Sequence, residues 1–181
     1  VGKALFRALR PLQWVKNALV FVPLLSSHQV TQLGKLFPTV LAFIAFCLTA
    51  SSVYVTNDLF DLAADRAHPS KRQRPFAAGD LSIPTGLVTA AILVLLAYAI
   101  ALPLLPVRFV ILLSCYLVVT LVYSFYLKRK LVADVVCLAS LYTVRVMAGG
   151  AAAGIETSAW LMAFSMFLFL SLAFLKRYVE L

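Results

Sequence analysis

An all-α fold is predicted, a polytopic membrane helix bundle of about six spans forming a single membrane domain over residues 1–181. Three observations carry the prediction. Of the 181 residues, 63% are hydrophobic and only 13% charged, whereas soluble domains hold about 45–50% apolar residues, so the surplus has to face something other than water. Several apolar stretches reach the ~20 residues a helix needs to cross ~30 Å of hydrocarbon, and they lack the period-2 alternation of a transmembrane barrel. Finally, the basic residues gather on one side once six spans are drawn.

The first span is expected over 11–27, opened by Pro11, a residue suited to a helix start, although Lys16 and Asn17 lie inside it. The second covers 36–57. The third covers 83–102 and is expected to end at Pro103 and Pro106, because proline removes a backbone donor and blocks the helix. The fourth, fifth and sixth cover 107–127, 131–153 and 158–175. Lys3, Arg7, Arg10 and Lys16, then Arg66, Lys71, Arg72 and Arg74, then Lys128, Arg129 and Lys130, then Lys176 and Arg177 all fall on one side of this arrangement. Only Lys35 and Arg108 fall on the other. Positive residues concentrate in cytoplasmic loops, so the N-terminus and the 58–82 loop are expected on the cytoplasmic face of a bacterial inner membrane. The net charge of +9 is thereby accounted for without nucleic acid. Cys47, Cys115 and Cys137 lie in apolar runs with no paired spacing, which reads as packing in the apolar phase rather than a zinc or disulfide framework.

The segment Asn57-Asp58-Leu59-Phe60-Asp61-Leu62-Ala63-Ala64-Asp65 continues the second span past the membrane edge. Offsets of three, four and seven place Asp58, Asp61 and Asp65 on one helical face. Like charges so placed repel by a few tenths of a kcal/mol per pair, so a cation belongs there. Mg2+ accepts one or two carboxylates and completes its shell with water and phosphate oxygens. Lys71, Arg72 and Arg74 follow directly, and guanidinium and ammonium groups beside such a metal outline a diphosphate site. A solvated charged loop is the alternative for any one of these residues.

Asn57-Asp58-x-x-Asp61-x-x-x-Asp65 resembles the first aspartate-rich motif of the UbiA-type intramembrane prenyltransferase superfamily. His68-Pro69-x-Lys71-x-x-Arg74-Pro75, the stretch Leu9 to Asn17, Tyr123 to Lys128, and Arg145-x-x-Ala148-Gly149-Gly150 are similar to the branch that includes decaprenyl-phosphate phosphoribosyltransferase. The resemblance implies nine helices around a cavity, of which this chain carries six, and Mg2+ on a diphosphate substrate. It implies transfer of phosphoribose from phosphoribosyl diphosphate to a polyprenyl phosphate in the membrane lipid. Asn57, Asp61 and Asp65 are carried over as catalytic residues, and Asp58, Asp61 and Asp65 as metal ligands. Lys16, Asn17, Lys71, Arg74, Tyr123, Lys128, Arg145, Lys176 and Arg177 are the expected substrate contacts. Where the superfamily has a second aspartate-rich motif, this chain reads Lys176-Arg177-Tyr178-Val179-Glu180, two cations in place of carboxylates, which suits an anionic substrate better than a second metal.

Other readings stay open. Arg145 inside a span is costly unless it faces a polar interior, and it serves either substrate phosphate or a structural hydrogen-bond network. Lys16 either reaches the cavity or snorkels to the interface. Asp134 either pairs with Lys128 or Lys130 or faces the cavity. Ala148-Gly149-Gly150 points to close helix packing ahead of phosphate binding, and His68 to loop structure ahead of acid or base work. Trp14, Trp160 and Tyr178 sit at expected interfaces. Ordinary prenyl transfer is the enzymatic alternative. A transporter is disfavoured by the lack of an inverted repeat or paired broken helices. An inactive membrane scaffold is the remaining class.

Overall fold

The computed structural model describes residues 2–127 and 131–180, apart from the side chains of Leu131, Lys176 and Glu180. Regular structure among the described residues is entirely helical: α1 (Gly2–Leu9), a 3-10 segment (Pro11–Phe21), α2 (Val22–Ser26), α3 (Leu33–Phe60), α4 (Leu62–Ala67), a short 3-10 turn (Lys71–Gln73), α5 (Ile83–Leu104), α6 (Val107–Phe125), α7 (Leu131–Ala153) and α8 (Ala159–Glu180).

Helices α3, α5, α6, α7 and α8 are each long and apolar enough to cross a membrane. The innermost are α3 and α7: over half of each apolar window is buried, against less than a quarter for α5, α6 and α8. The outer helices therefore present leucine, isoleucine and phenylalanine outward, as Leu95, Leu102, Ile111, Phe167 and Leu175 do. Such faces are stable only against lipid or further protein, which fits an integral membrane protein.

The expected first span takes another form. Its residues run as eleven in 3-10 geometry followed by five in α2, a 3-10 run well beyond the usual 3–4 residues. A 3-10 helix rises about 2.0 Å per residue and an α-helix about 1.5 Å, so the two together reach about 30 Å, the thickness of the hydrocarbon core. The stretched geometry gives a short segment the length of a span. It starts at a sharp corner, where Arg10 adopts a left-handed conformation (φ 52°, ψ 58°) just before Pro11. A residue preceding proline is kept out of the right-handed helical region.

The 3-10 segment packs against both α3 and α7. Its approach to α7 is so close that a Cβ on Gly149 would lie 1.9 Å from the Val20 carbonyl oxygen. The expected packing role of this glycine is thereby explained. Gly154 (φ +63°) turns the chain after α7, and the Ile155 N–H donates to the Gly150 carbonyl at 2.9 Å. At the centre, Phe46 meets Phe109 edge-on with centroids 5.9 Å apart and Tyr116 at 5.0 Å. Helix α5 begins with Ser82 accepting from the Thr85 N–H and continues through Pro103 by one residue, slightly beyond the expected stop. Trp14, expected in an interfacial belt, donates its Nε1–H to the Ser51 hydroxyl at 2.9 Å.

Replacing Gly149 with alanine is expected to lower stability by at least ~1–3 kcal/mol, the usual cost of overpacking, because the clash is with backbone. Thermal unfolding in detergent checks it: an unchanged Tm would mean that the 3-10 segment and α7 do not touch as described.

Candidate active site

The end of α3 and the start of α4 carry the aspartates. Helical hydrogen bonding continues across the break: Asp61 N donates to Asn57 O at 2.9 Å and Asp65 N to Asp61 O at 2.8 Å. Asp58 and Asp65 are each 2% exposed and share one guanidinium. Arg74 Nη1 lies 3.2 Å from Asp58 Oδ1 and 2.7 Å from Asp65 Oδ2, and Arg10 also bonds Asp58 Oδ1. Arg10 stacks in turn over the Tyr54 ring, 5.3 Å from its centroid. The 3-10 turn delivers Arg74 here, and the His68 ring nitrogen Nδ1 organises that turn by accepting from the backbone N–H groups of Ser70 and Lys71. His68 is loop structure, as expected. Lys71 is exposed to solvent beside it.

This arrangement modifies the expectation of three carboxylates around one cation. Among the described residues no group of three or more His, Cys, Asp or Glu side chains is assembled to hold a metal. The physical reason is that Arg74 and Arg10 neutralise two of the three. The donor set still fits Mg2+. Asn57, Asp58, Asp61 and Asp65 are hard oxygen donors within two turns, and the buried Oδ2 of Asp58 has no hydrogen-bond partner among the described residues. Mg2+ takes one or two protein carboxylates and draws its other oxygens from water and substrate phosphates.

Next to this cluster, a cavity of about 170 Å3 descends between α3, α6, α7 and the 3-10 segment. Its lining includes Lys16, Asn57, Tyr54, Tyr123 and Arg145. Four residues expected to act on substrate, Lys16, Asn57, Tyr123 and Arg145, thus meet in one space. Arg145 is 6% exposed. Its Nε donates to Asn17 Oδ1 at 2.9 Å, Nη1 to the Leu141 carbonyl at 2.7 Å and Nη2 to the Tyr116 hydroxyl at 2.9 Å. The guanidinium also sits 4.7 Å from the Tyr116 ring centroid and 5.5 Å from that of Tyr142. Among the described residues no carboxylate pairs with it. Asn17 is buried and holds Arg145 from the side, its own amide donating to Cys47 Sγ at 3.4 Å.

Tyr123 donates its hydroxyl to Asp134 Oδ1 at 2.6 Å, and Arg177 Nε lies 2.8 Å from Asp134 Oδ2. Asp134 therefore joins α6, α7 and α8 at the charged end, and Arg177 reaches the cavity wall through it. Lys128 lies outside the described residues, as does the side chain of Lys176. Phe60 and Phe125, with centroids 4.6 Å apart, bring the ends of α3 and α6 together over this region.

The tyrosines of the wall, Tyr54, Tyr116 and Tyr142, escaped the sequence reading. A signal was present: Tyr54 precedes Asn57 by three residues, Tyr116 precedes Tyr123 by seven and Tyr142 precedes Arg145 by three, all same-face spacings.

A bundle of apolar helices with a cation-bearing cavity and an aspartate cluster at one end defines the class, a polytopic helical membrane protein. The chain belongs to the UbiA prenyltransferase family, which matches residues 18–179. It is 42% identical over 174 residues to nodulation protein NoeC of Azorhizobium caulinodans, covering 96% of this chain and 56% of that protein. It is 38% identical over 185 residues to decaprenyl-phosphate phosphoribosyltransferase of Corynebacterium glutamicum, covering 99% and 55%. The chain thus spans somewhat more than half the length of these two relatives. The fold matches a UbiA homolog from Archaeoglobus fulgidus solved with DMAPP and Mg2+, with a TM-score of 0.75 at 21% identity over 93% of this chain and 60% of that one.

Removing the Arg74 guanidinium strands the buried Asp65 carboxylate and leaves Asp58 to Arg10 alone. Arg74→Ala is expected to cost ~3–5 kcal/mol, and adding Asp65→Asn to recover part of it. A double-mutant cycle by chemical unfolding in detergent measures the coupling; strictly additive effects would show that the pair does not interact.

Proposed function

We propose that the chain is the donor-binding part of a Mg2+-dependent membrane transferase that moves phosphoribose from phosphoribosyl diphosphate to a polyprenyl phosphate at the cytoplasmic membrane edge. The observation that carries this reading is the cavity lining: Lys16 and Arg145 both stand in it, and the buried Arg145 guanidinium is held only by neutral groups among the described residues. An uncompensated guanidinium in an apolar bundle is expensive, and an anionic substrate group supplies what it lacks. The relative named decaprenyl-phosphate phosphoribosyltransferase, at 38% identity, supports the phosphoribosyl form.

One or two of Asp58, Asp61 and Asp65, with Asn57 beside them, would hold Mg2+, and Asn57, Asp61 and Asp65 stand nearest the chemistry in this reading. When bound, the metal neutralises charge on the departing diphosphate. Lys71, Arg74, Lys16 and Arg145 bind phosphate oxygens, as do Lys128, Lys176 and Arg177 in this reading. Asn17 keeps Arg145 oriented. A phosphate oxygen of the lipid attacks the anomeric carbon of the sugar, the bond from that carbon to the diphosphate oxygen breaks, and its electron pair leaves with diphosphate. The nucleophile is already anionic, so no general base is required, and neither histidine nor cysteine lines the cavity.

One observation favours a second reading. Tyr54, Tyr116 and Tyr142 bring three aromatic rings into the cavity lining, and aromatic rings suit the cationic carbon of an allylic donor, as in transfer from a prenyl diphosphate.

Binding of phosphoribosyl diphosphate to the nanodisc-embedded protein, with and without Mg2+ and in competition with a prenyl diphosphate, separates the two. Asp61→Asn is expected to abolish the Mg2+-dependent part of binding while leaving the thermal transition in place. Arg145→Met is expected to weaken binding by about 10–100-fold, the worth of a charge-assisted contact of ~1.5–3 kcal/mol. Binding of the prenyl diphosphate alone moves the chain to the second reading.

A further inference from the structure

A second opening, of about 350 Å3, lies at the charged end between α1 and the turn that carries Arg74. Its lining includes Arg7, Arg10, Asp58, Ser70, Gln73 and Arg74. It abuts Asp58, whereas the main cavity abuts Asn57.

Two guanidinium groups, Arg10 and Arg74, bond the Asp58 carboxylate, and a third, Arg7, lines the same opening. Each carries five N–H donors, and their protein contacts use few of them. Arg10 bonds Asp58 through Nη2 and Arg74 bonds Asp58 and Asp65 through Nη1. Arg7 donates from Nη2 to the Gln73 carbonyl at 2.9 Å and stands 4.0 Å from an exposed Asp80. The cluster thus has N–H donors to spare. It also has a spare acceptor, since the Oδ2 of the 2%-exposed Asp58 is unpartnered among the described residues. Buried polar groups are ordinarily satisfied, and a ligand rich in both acceptors and donors completes this set. Guanidinium forks match phosphate oxygens in geometry. The Ser70 hydroxyl and the Gln73 amide add neutral hydrogen-bonding groups. No aromatic or aliphatic wall is present for an isoprenoid chain beyond Pro75.

We infer that this opening is a second anion subsite that takes a phosphate monoester borne on a polar group, with Arg7 and Arg10 on the phosphate. The inference rests on the proposed function for the ligand's identity: a donor with phosphate groups at both ends of a sugar requires two cation-lined places, and a prenyl diphosphate requires one. An anionic lipid headgroup offers the same phosphate chemistry from the membrane side.

The test uses the intact protein in phosphatidylcholine nanodiscs, with ribose 5-phosphate as the probe and calorimetry as the readout. Arg7→Gln, at an exposed position outside the main cavity, is expected to weaken ribose 5-phosphate binding about tenfold, the loss of one charge-assisted contact. It should leave Mg2+-dependent binding of inorganic diphosphate unchanged. Arg7→Glu should abolish the first and again spare the second. Nanodiscs containing phosphatidic acid form the second arm: if only there does Arg7→Gln change binding, measured as lipid competition, the subsite stands and its ligand is a headgroup. If neither phosphate responds to Arg7→Gln or Arg7→Glu, the subsite is overturned. Should phosphoribosyl diphosphate bind normally in that case, the proposed function survives without it; should that molecule fail to bind the unaltered protein, the proposed function is what falls.

Discussion

The guanidinium of Arg145 has to be solvated by the protein itself, because it lies within an apolar helix of a bundle whose outer faces are apolar. On insertion scales an arginine at the centre of a span costs ~2.5–3.5 kcal/mol, so every neighbour is recruited to it. Asn17 and Tyr116 accept hydrogen bonds, the Leu141 carbonyl accepts a third, and two tyrosine rings present their faces. Asn17 reaches it only because the 3-10 segment runs hard against α7, and that contact is possible only because position 149 has no Cβ. One buried cation thereby dictates the path of the 3-10 segment, the glycine on α7 and the polar floor of the cavity.

The same 3-10 segment ties this floor to the charged end. It begins at Arg10, whose left-handed backbone is held by the bond from its side chain to Asp58 and by the Tyr54 ring. A residue in that conformation costs of order 1–3 kcal/mol, offset here by charge-assisted contacts to a buried carboxylate. Within eleven residues, one strand of chain therefore contacts the aspartate cluster at its start and Arg145 through Asn17. Arg74 closes the cluster from the other side by bridging Asp58 and Asp65. Two carboxylates and two guanidinium groups form a compact network that is neutral by itself, so it leaves the charge of the Arg145 guanidinium in the cavity unanswered.

Membership of the UbiA prenyltransferase family and the likeness to a solved UbiA homolog agree with this architecture. The departure at the end of α8 has a structural sense. Arg177 stands where a carboxylate would be expected, and Asp134 on α7 faces it, so this position is used to bind α8 to α7 and to hold the Tyr123 hydroxyl.

Much of this was legible in the residues themselves. Apolar runs of spanning length, the one-sided distribution of lysine and arginine, and the Asn57 to Asp65 spacing depend only on local composition and helical periodicity. They determined the all-α membrane bundle, which end carries the aspartates and most of the cations, and the identity of most residues gathered there. What the residues alone left undecided depends on distance between segments far apart in the chain. No local pattern says that Arg74 bridges Asp58 and Asp65, that Asp134 meets Arg177, or that residues 11–21 stretch into 3-10 geometry. Those outcomes follow from how closely helices approach and which charges end up buried together, and only the tertiary structure settles them.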